Sequence, residues 1–269
     1  MDVDEQDQKV GTVAASTPAT TTCTNCGAVL AGAYCHICGQ RVASQMLSVR
    51  TLVAEATQAL FNIENKLWKT LHLLFRRPSE LTRAYLAGQR VRYVSPLRLY
   101  FISSVLYFAL AALMGSTDVM FISFNWEGQP IEDLSEFLPR LMFVVIPAYA
   151  ALLMGVYWRP KRLYVEHLIV ALHIHAIWFF LFSISVVLDP WTNQLVEDGI
   201  YNVITLVATL LSVVVQLAMF VYVYRILRSV YGASAWRTIG KLIVLYIGYI
   251  LVVTACVVTY AFVMARLQG

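Results

Sequence analysis

The sequence predicts an all-α integral membrane bundle of about five transmembrane helices, preceded by an N-terminal cytoplasmic zinc ribbon and by amphipathic pre-membrane helices. Three observations lead to this expectation: an apolar composition, five long apolar stretches and two closely spaced cysteine pairs. Hydrophobic residues make up 59% of the 269 residues, and charged residues make up only 13%. Since soluble domains average about 25% charged residues, the composition is typical of a chain that contacts lipid.

Five stretches are long enough to cross a bilayer, because a transmembrane helix needs about 20 mostly apolar residues. Together they define a bundle over residues 97–265. The second stretch contains Pro147, which a membrane helix tolerates when neighbouring groups satisfy the freed carbonyl. The predicted spans are residues 97–115, 141–158, 167–188, 203–224 and 242–265.

Basic and acidic segments alternate between the predicted spans. Residues 41–98 contain ten Lys or Arg and three Glu, whereas residues 116–139 contain five acids and no Lys or Arg. Since basic connections favour the cytoplasmic side, the amino end is predicted inside and the short tail 266–269 outside. The same rule accounts for most of the net charge of +4, so nucleic acid is not an expected partner.

The segment before the first span, residues 46–96, is predicted to be helical and amphipathic, because its apolar residues recur at the three-and-four spacing of one helix face. Pro78 interrupts it, with Ser79 as the expected N-cap of a second short helix and Gly88 as its stop. Its basic residues are expected at the cytoplasmic lipid surface, with packing on the bundle as the alternative. These membrane-interface candidates are Arg76, Arg77, Arg83, Arg90 and Arg92.

Two CxxC pairs lie in residues 23–40, and a glycine follows each pair. Cys23, Cys26, Cys35 and Cys38 supply the four thiolates of a tetrahedral site, so one structural zinc ion is predicted there. A redox disulfide is the competing use of CxxC, but a cytoplasmic location disfavours it. Residues 1–22 have little to bury and are predicted to be a disordered lead-in.

The third predicted span carries four ionisable residues, Glu166, His167, His173 and His175. Such groups are costly inside a bilayer and are therefore candidates for function. Helical geometry turns His173 and His175 to nearly opposite faces, so this helix alone cannot bring all four to one ion. Three interpretations stay open: hydrogen bonds between helices, a proton or ion pathway, or a metal site completed by other spans.

Two motifs resemble those of one bacterial family. The first is the double CxxCG ending in Gly39-Gln40, and the second is Arg77-Pro78 followed by Tyr85-Leu86-Ala87-Gly88-Gln89-Arg90-Val91-Arg92-Tyr93-Val94-Ser95-Pro96. With the spans, they resemble the membrane proteins catalogued as domain of unknown function 3667. Ser79 and Gln89 stand where that family usually shows Gly and Lys. The resemblance implies a bacterial inner-membrane location and supplies no activity.

The leading functional hypothesis is a non-enzymatic assembly, sensing or regulatory factor whose zinc ribbon binds a protein partner. No catalytic residue is assigned, and enzymatic activity is left open. The second hypothesis is a small transporter or channel that uses the Glu and His side chains of the third span. The third is an intramembrane metal-dependent enzyme. The lipid bilayer is an expected partner in each case, and a homo-oligomer is compatible with all three.

Overall fold

The computed structural model describes residues 22–42, 48–58, 64–114, 125–126, 129–130, 134–159, 161–197 and 202–268. The expected lead-in of residues 1–22 lies outside the described residues except for Thr22. The expected tail of residues 266–269 continues the last helix as far as Gln268, and Gly269 lies outside the description.

The described chain is almost entirely helical. Its eight helices are α1 (Val49–Gln58), α2 (Glu64–Arg76), α3 (Pro78–Leu86), α4 (Pro96–Met114), α5 (Leu134–Val156), α6 (Tyr164–Glu197), α7 (Val203–Tyr231) and α8 (Ala235–Gln268). Two strands of two residues, β1 (Asn125–Trp126) and β2 (Gln129–Pro130), pair antiparallel between α4 and α5.

Five of these helices, α4 to α8, contain stretches long and apolar enough to cross a membrane, which confirms the predicted fold class. Several extend beyond the predicted spans. At 1.5 Å per residue, the 29 residues of α7 measure about 43 Å, which exceeds the roughly 30 Å of a hydrocarbon core. The long helices therefore have a lipid-facing part and an additional part beyond it. This additional part lies at the end of the bundle next to residues 22–42, here called the head end.

Helix α6 is the centre of the bundle. It packs against α4, α5 and α7, and 89% of its most apolar window is buried, against 22% for α7 and for α8. The outer helices instead expose apolar side chains, such as Val203 and Leu251. This distribution explains why the buried histidines His173 and His175 lie on α6, because polar side chains in a membrane bundle are cheapest when protein surrounds them.

Local chemistry sets the limits of α7. Asn202 caps its start, since the Asn202 side chain accepts a 2.9 Å hydrogen bond from the Thr205 amide in a capping box. Gly232 ends the helix with φ of 65°, a left-handed conformation that favours glycine. Only three residues then separate α7 from α8, so the two helices form a hairpin.

The pre-membrane segment forms α1, α2 and α3, while residues 43–47 and 59–63 lie outside the described part. Helices α2 and α3 form a hairpin that turns at Arg77. The expectation of Ser79 as N-cap is wrong: α3 begins at Pro78 with Arg77 in the cap position and no side-chain cap bond. Proline suits the first helical position, because its missing N–H would have no helical partner there.

The α2–α3 hairpin packs on the bundle. Helix α3 contacts both α6 and α7, and its Leu81 and Tyr85 are almost fully buried. The hydroxyl of Tyr222 on α7 donates a hydrogen bond to the carbonyl oxygen of Phe75 near the hairpin tip. The Phe75 ring also meets the ring of Phe180 on α6, with centroids 5.6 Å apart. The hairpin is thus part of the bundle core at the head end.

Candidate metal centre and its docking loop

The four cysteines of the head, residues 22–42, lie on two similar turns. In the first turn the Gly27 amide donates to the Cys23 carbonyl, and in the second the Gly39 amide donates to the Cys35 carbonyl, each at 2.8 Å. Both glycines have positive φ, 78° and 72°, a left-handed conformation that residues with a side chain rarely adopt. The repeated CxxCG motif therefore encodes two copies of one metal-binding turn.

The sulfur atoms converge on one point. All four Sγ atoms lie within 4.8 Å of one another, with 3.6 Å between Cys23 and Cys38 and 3.5 Å between Cys26 and Cys35. A tetrahedron with zinc–sulfur bonds of about 2.3 Å has sulfur–sulfur edges of about 3.8 Å. The thiols are free, so their spacing fits one tetrahedral metal ion with little rearrangement.

The pKa values of two of the four thiols are shifted in opposite directions. The backbone amides of Cys38 and Ile37 lower the pKa of the Cys35 thiol to about 6, whereas desolvation and the neighbouring thiols raise the pKa of the Cys26 thiol to about 12. Cys35 therefore provides the thiolate form that binds metal, and Cys26 must release its proton when an ion binds. In the part of the chain that the structure describes, no other cluster of three or more His, Cys, Asp or Glu brings its ligand atoms this close together.

The head is attached to the loop that follows α3, residues 87–95. The side-chain amide of Gln40 donates to the Gly88 carbonyl at 3.0 Å and to the Thr24 hydroxyl at 2.8 Å. Its oxygen accepts from the Arg90 amide at 3.4 Å. The Thr24 hydroxyl donates to the same Gly88 carbonyl at 3.2 Å. Gln40 is only 2% exposed, so it is a buried polar link between the metal-binding turns and the docking loop.

Gly88 is required at the centre of this contact for two independent reasons. Its φ is 94°, a conformation that side-chain-bearing residues rarely adopt. A Cβ atom there would also lie 2.8 Å from the Thr24 hydroxyl oxygen, which is far inside van der Waals contact. The sequence-based expectation that Gly88 stops α3 thus covers only part of its role, because Thr24 of the head also packs directly against Gly88.

The contact continues from the docking loop into the bundle. Two residues before the loop, the Tyr85 ring lies edge-on to the ring of His173 on α6, with centroids 6.1 Å apart. The Thr82 hydroxyl and His173 Nδ1 are 3.2 Å apart. All three side chains are buried. Helix α3 therefore joins the metal-binding head to the central helix through a continuous series of packed and hydrogen-bonded side chains.

The other ionisable residues of α6 have separate partners. Glu166 forms a 3.0 Å ion pair with Arg162 at the head end. His167 Nδ1 lies 2.7 Å from the Tyr231 hydroxyl of α7, and His175 Nδ1 lies 2.8 Å from the Ala171 carbonyl. The structure thus does not gather the four predicted residues Glu166, His167, His173 and His175 into one site, and each meets a different part of the bundle.

A second polar cluster surrounds the predicted residue His175, and its other members were not identified from the sequence. The His175 ring lies 5.4–5.8 Å from those of Tyr149, Trp178 and Tyr249, which come from α5, α6 and α8. Within the described chain, His175 Nε2, Trp178 Nε1 and the Tyr249 hydroxyl are buried without hydrogen-bond partners. Aromatic residues are so common in this sequence that only their convergence in the fold identifies this cluster.

The five basic residues predicted at the lipid surface divide into two groups. Arg76, Arg77, Arg83 and Arg92 are exposed. Arg90 is buried, and its guanidinium lies 5.9 Å from the centre of the Tyr85 ring. The basic residues between Arg76 and Arg92 therefore have two roles: four are exposed, while Arg90 lies in the contact between the docking loop and α3.

These features define a class of protein: a helical protein with five helices capable of spanning a membrane and a four-cysteine head docked on its pre-membrane hairpin. Residues 64–108 match the family model described as "Protein of unknown function (DUF3667)". The match confirms the expected resemblance and covers α2, α3, the docking loop and part of α4. No curated protein and no solved structure matches the chain.

Replacement of Gly88 by alanine tests the docking contact. The clash with Thr24 and the unfavourable φ should undock the loop at a cost of about 1–3 kcal/mol, and tryptic cleavage after the normally buried Arg90 should rise at least fivefold. Gly32→Ala is the matched control, because a Cβ at Gly32 meets nothing within 4 Å. Equal cleavage in the two variants would contradict the contact.

Proposed function

We propose that this chain is a multi-pass protein of a bacterial inner membrane and that it acts as a non-enzymatic assembly, sensing or regulatory factor. The observation that carries the proposal is that the head is docked on the bundle and still exposes large apolar side chains. The head binds the docking loop through Thr24 and Gln40. Away from these contacts, Val29, Tyr34 and Ile37 are 60–69% accessible. The head thereby connects a protein partner to the bundle.

We assign the bound ion as zinc. Four thiolates at tetrahedral spacing are a characteristic zinc ligand set, and a closed site of this type leaves no coordination position for a substrate. The head has two isolated bridge contacts and few buried apolar residues, so its folding depends on the metal. Zinc therefore has a structural role, and its loss would remove the surface that docks on Gly88.

The cytoplasmic orientation of the head is supported by the distribution of charge. The segment that contains the head, the hairpin and the docking loop is rich in Arg and Lys, as are residues 225–241 at the same end of the bundle, whereas residues 116–139 contain five acids and no Lys or Arg. Basic residues are retained on the cytoplasmic side during insertion. A reducing cytoplasm also keeps the four thiols available for metal.

A second function, proton or ion movement through the bundle, is favoured by the cluster around His175. Buried polar groups without partners are uncommon and are usually satisfied by internal water. Besides the three atoms in this cluster, the Tyr157 hydroxyl nearer the head end also has no partner in the described chain. Water molecules on these groups would form a hydrated route along α5, α6 and α8.

Elemental analysis of the purified full-length protein tests the metal assignment. We expect one zinc per chain in the wild type, none after Cys23→Ser with Cys26→Ser, and one after His173→Ala with His175→Ala, because the ligands all lie in the head. Zinc that survives the cysteine changes but disappears with the histidine changes would instead support the intramembrane metal enzyme.

Photo-crosslinking in cells tests the partner-binding face. A crosslinker at Val29 should capture a protein whose yield falls at least fivefold in Tyr34→Ala with Ile37→Ala, while the bound zinc is retained. Trp236→Ala, which removes an 83% exposed side chain far along the chain, should leave the yield unchanged. Equal capture by the double variant and the control would contradict a docking role for this face.

Reconstitution into liposomes tests the transport alternative. If the cluster conducts protons, a pH gradient should collapse faster with the wild type than with empty vesicles, and His175→Ala should lower the rate at least tenfold. His36→Ala, an exposed change in the head, should preserve the rate. A wild-type rate equal to that of empty vesicles would eliminate this function.

A further inference from the structure

The tip of the α2–α3 hairpin lies at a defined depth along the bundle. On α7, exposed apolar residues continue from Val203 to Val221 and then stop. The next residue, Tyr222, donates the hydrogen bond to Phe75 that holds the hairpin tip. The tip is therefore fixed where the lipid-facing apolar surface of α7 ends, which is the expected depth of the phospholipid headgroups.

A second contact places the hairpin tip alongside α4. The Phe75 ring meets Phe180 on α6, and the adjacent Phe179 meets Tyr100, Tyr107 and Phe108 of α4. The tip therefore lies beside α4 rather than at its start, so the depth of the tip is set by the end of the exposed apolar surface of α7.

The surface at this boundary is strongly basic. Arg76 and Arg77 form the tip, Arg83 lies two turns further along the hairpin, and all three are exposed. Arg225 and Arg228 are also exposed and lie one to two turns beyond Tyr222 on α7. The tip carries one acid, Glu80, which is paired with Arg77 at 3.4 Å. Helix α7 contains no acid at all, so a surplus of positive charge remains.

Helix α2 has the side chains of a membrane-surface helix. Its exposed positions include Lys66, Lys69 and Trp68, which is 72% accessible, while Thr70 and Leu74 are buried against the protein. Basic residues next to a membrane surface attract anionic lipids. The exposed face of α2 therefore continues the basic surface of the tip towards the head.

From this placement we infer that the hairpin tip and the adjoining turn of α7 form a binding site for an anionic phospholipid of the head-side leaflet. The lipid phosphate is held by Arg76, Arg77 and Arg225, and its acyl chains lie on the apolar face of α7 that ends at Val221. Guanidinium groups bind phosphate oxygens through paired N–H donors. A lipid bound at this site would hold the hairpin, and with it the docking loop, in place independently of the zinc ion.

Native mass spectrometry of the full-length protein from mixed phosphatidylglycerol and phosphatidylcholine micelles tests this site. Wild type should retain phosphatidylglycerol in preference, and Arg76→Gln with Arg77→Gln should weaken this retention at least tenfold, since each basic residue near an anionic surface contributes about fivefold. Arg159→Gln with Arg237→Gln removes the same charge from exposed head-end positions and should retain the lipid.

Two further measurements make the result decisive. The hairpin variant should keep one zinc per chain and the melting temperature of the wild type in phosphatidylcholine alone, because both arginines are exposed. Glycerol 3-phosphate should fail to displace the lipid, since it lacks the acyl chains that contact α7. Equal phosphatidylglycerol retention by the hairpin and control variants would overturn the proposal, as would displacement by the soluble phosphate.

Discussion

The contact between Gln40 and the Gly88 loop is the interaction on which the arrangement at the head end depends. The Gln40 side chain is buried and uses both ends of its amide, donating to Thr24 and Gly88 and accepting from Arg90. A buried polar group that loses its partners costs about 1–3 kcal/mol, so this residue favours a single docked position. The metal-binding turns set where Gln40 lies, because it directly follows Gly39 and its carbonyl pairs with the Cys35 amide.

From this contact the effect of the metal extends into the bundle. The docking loop joins α3 to α4, so its position influences both a helix packed on α6 and the first long apolar helix. His173 contacts Thr82 and Tyr85 on the side of α6 that faces α3. His175 lies on the other side of α6, where it faces α5 and α8. The central helix thus lies between the metal-dependent head and the polar cluster around Tyr249, and α3 provides the physical connection.

Much of this architecture could be predicted from sequence, because its signals are local. Apolar length identifies the five long helices, the CxxC spacing identifies the metal ligands, and the opposite directions of His173 and His175 follow from helical geometry. The docking contact could not be predicted, because Gln40 and Gly88 are 48 residues apart and neither residue type signals its partner. The burial of Arg90 was missed for a related reason: a run of arginines suggests a charged surface, but only the fold shows which one lies beneath an aromatic ring.

Amide hydrogen exchange at Arg90 and Arg92 is the most direct test of the central claim that the metal holds the docking loop in place. Both amides donate to head side chains, Gln40 and Asn25. The zinc-loaded protein should protect them, removal of zinc by a chelator should increase their exchange at least fivefold while the amides of α6 stay protected, and added zinc should restore the protection. Exchange at Arg90 and Arg92 that is unchanged by removal of the metal would contradict the claim.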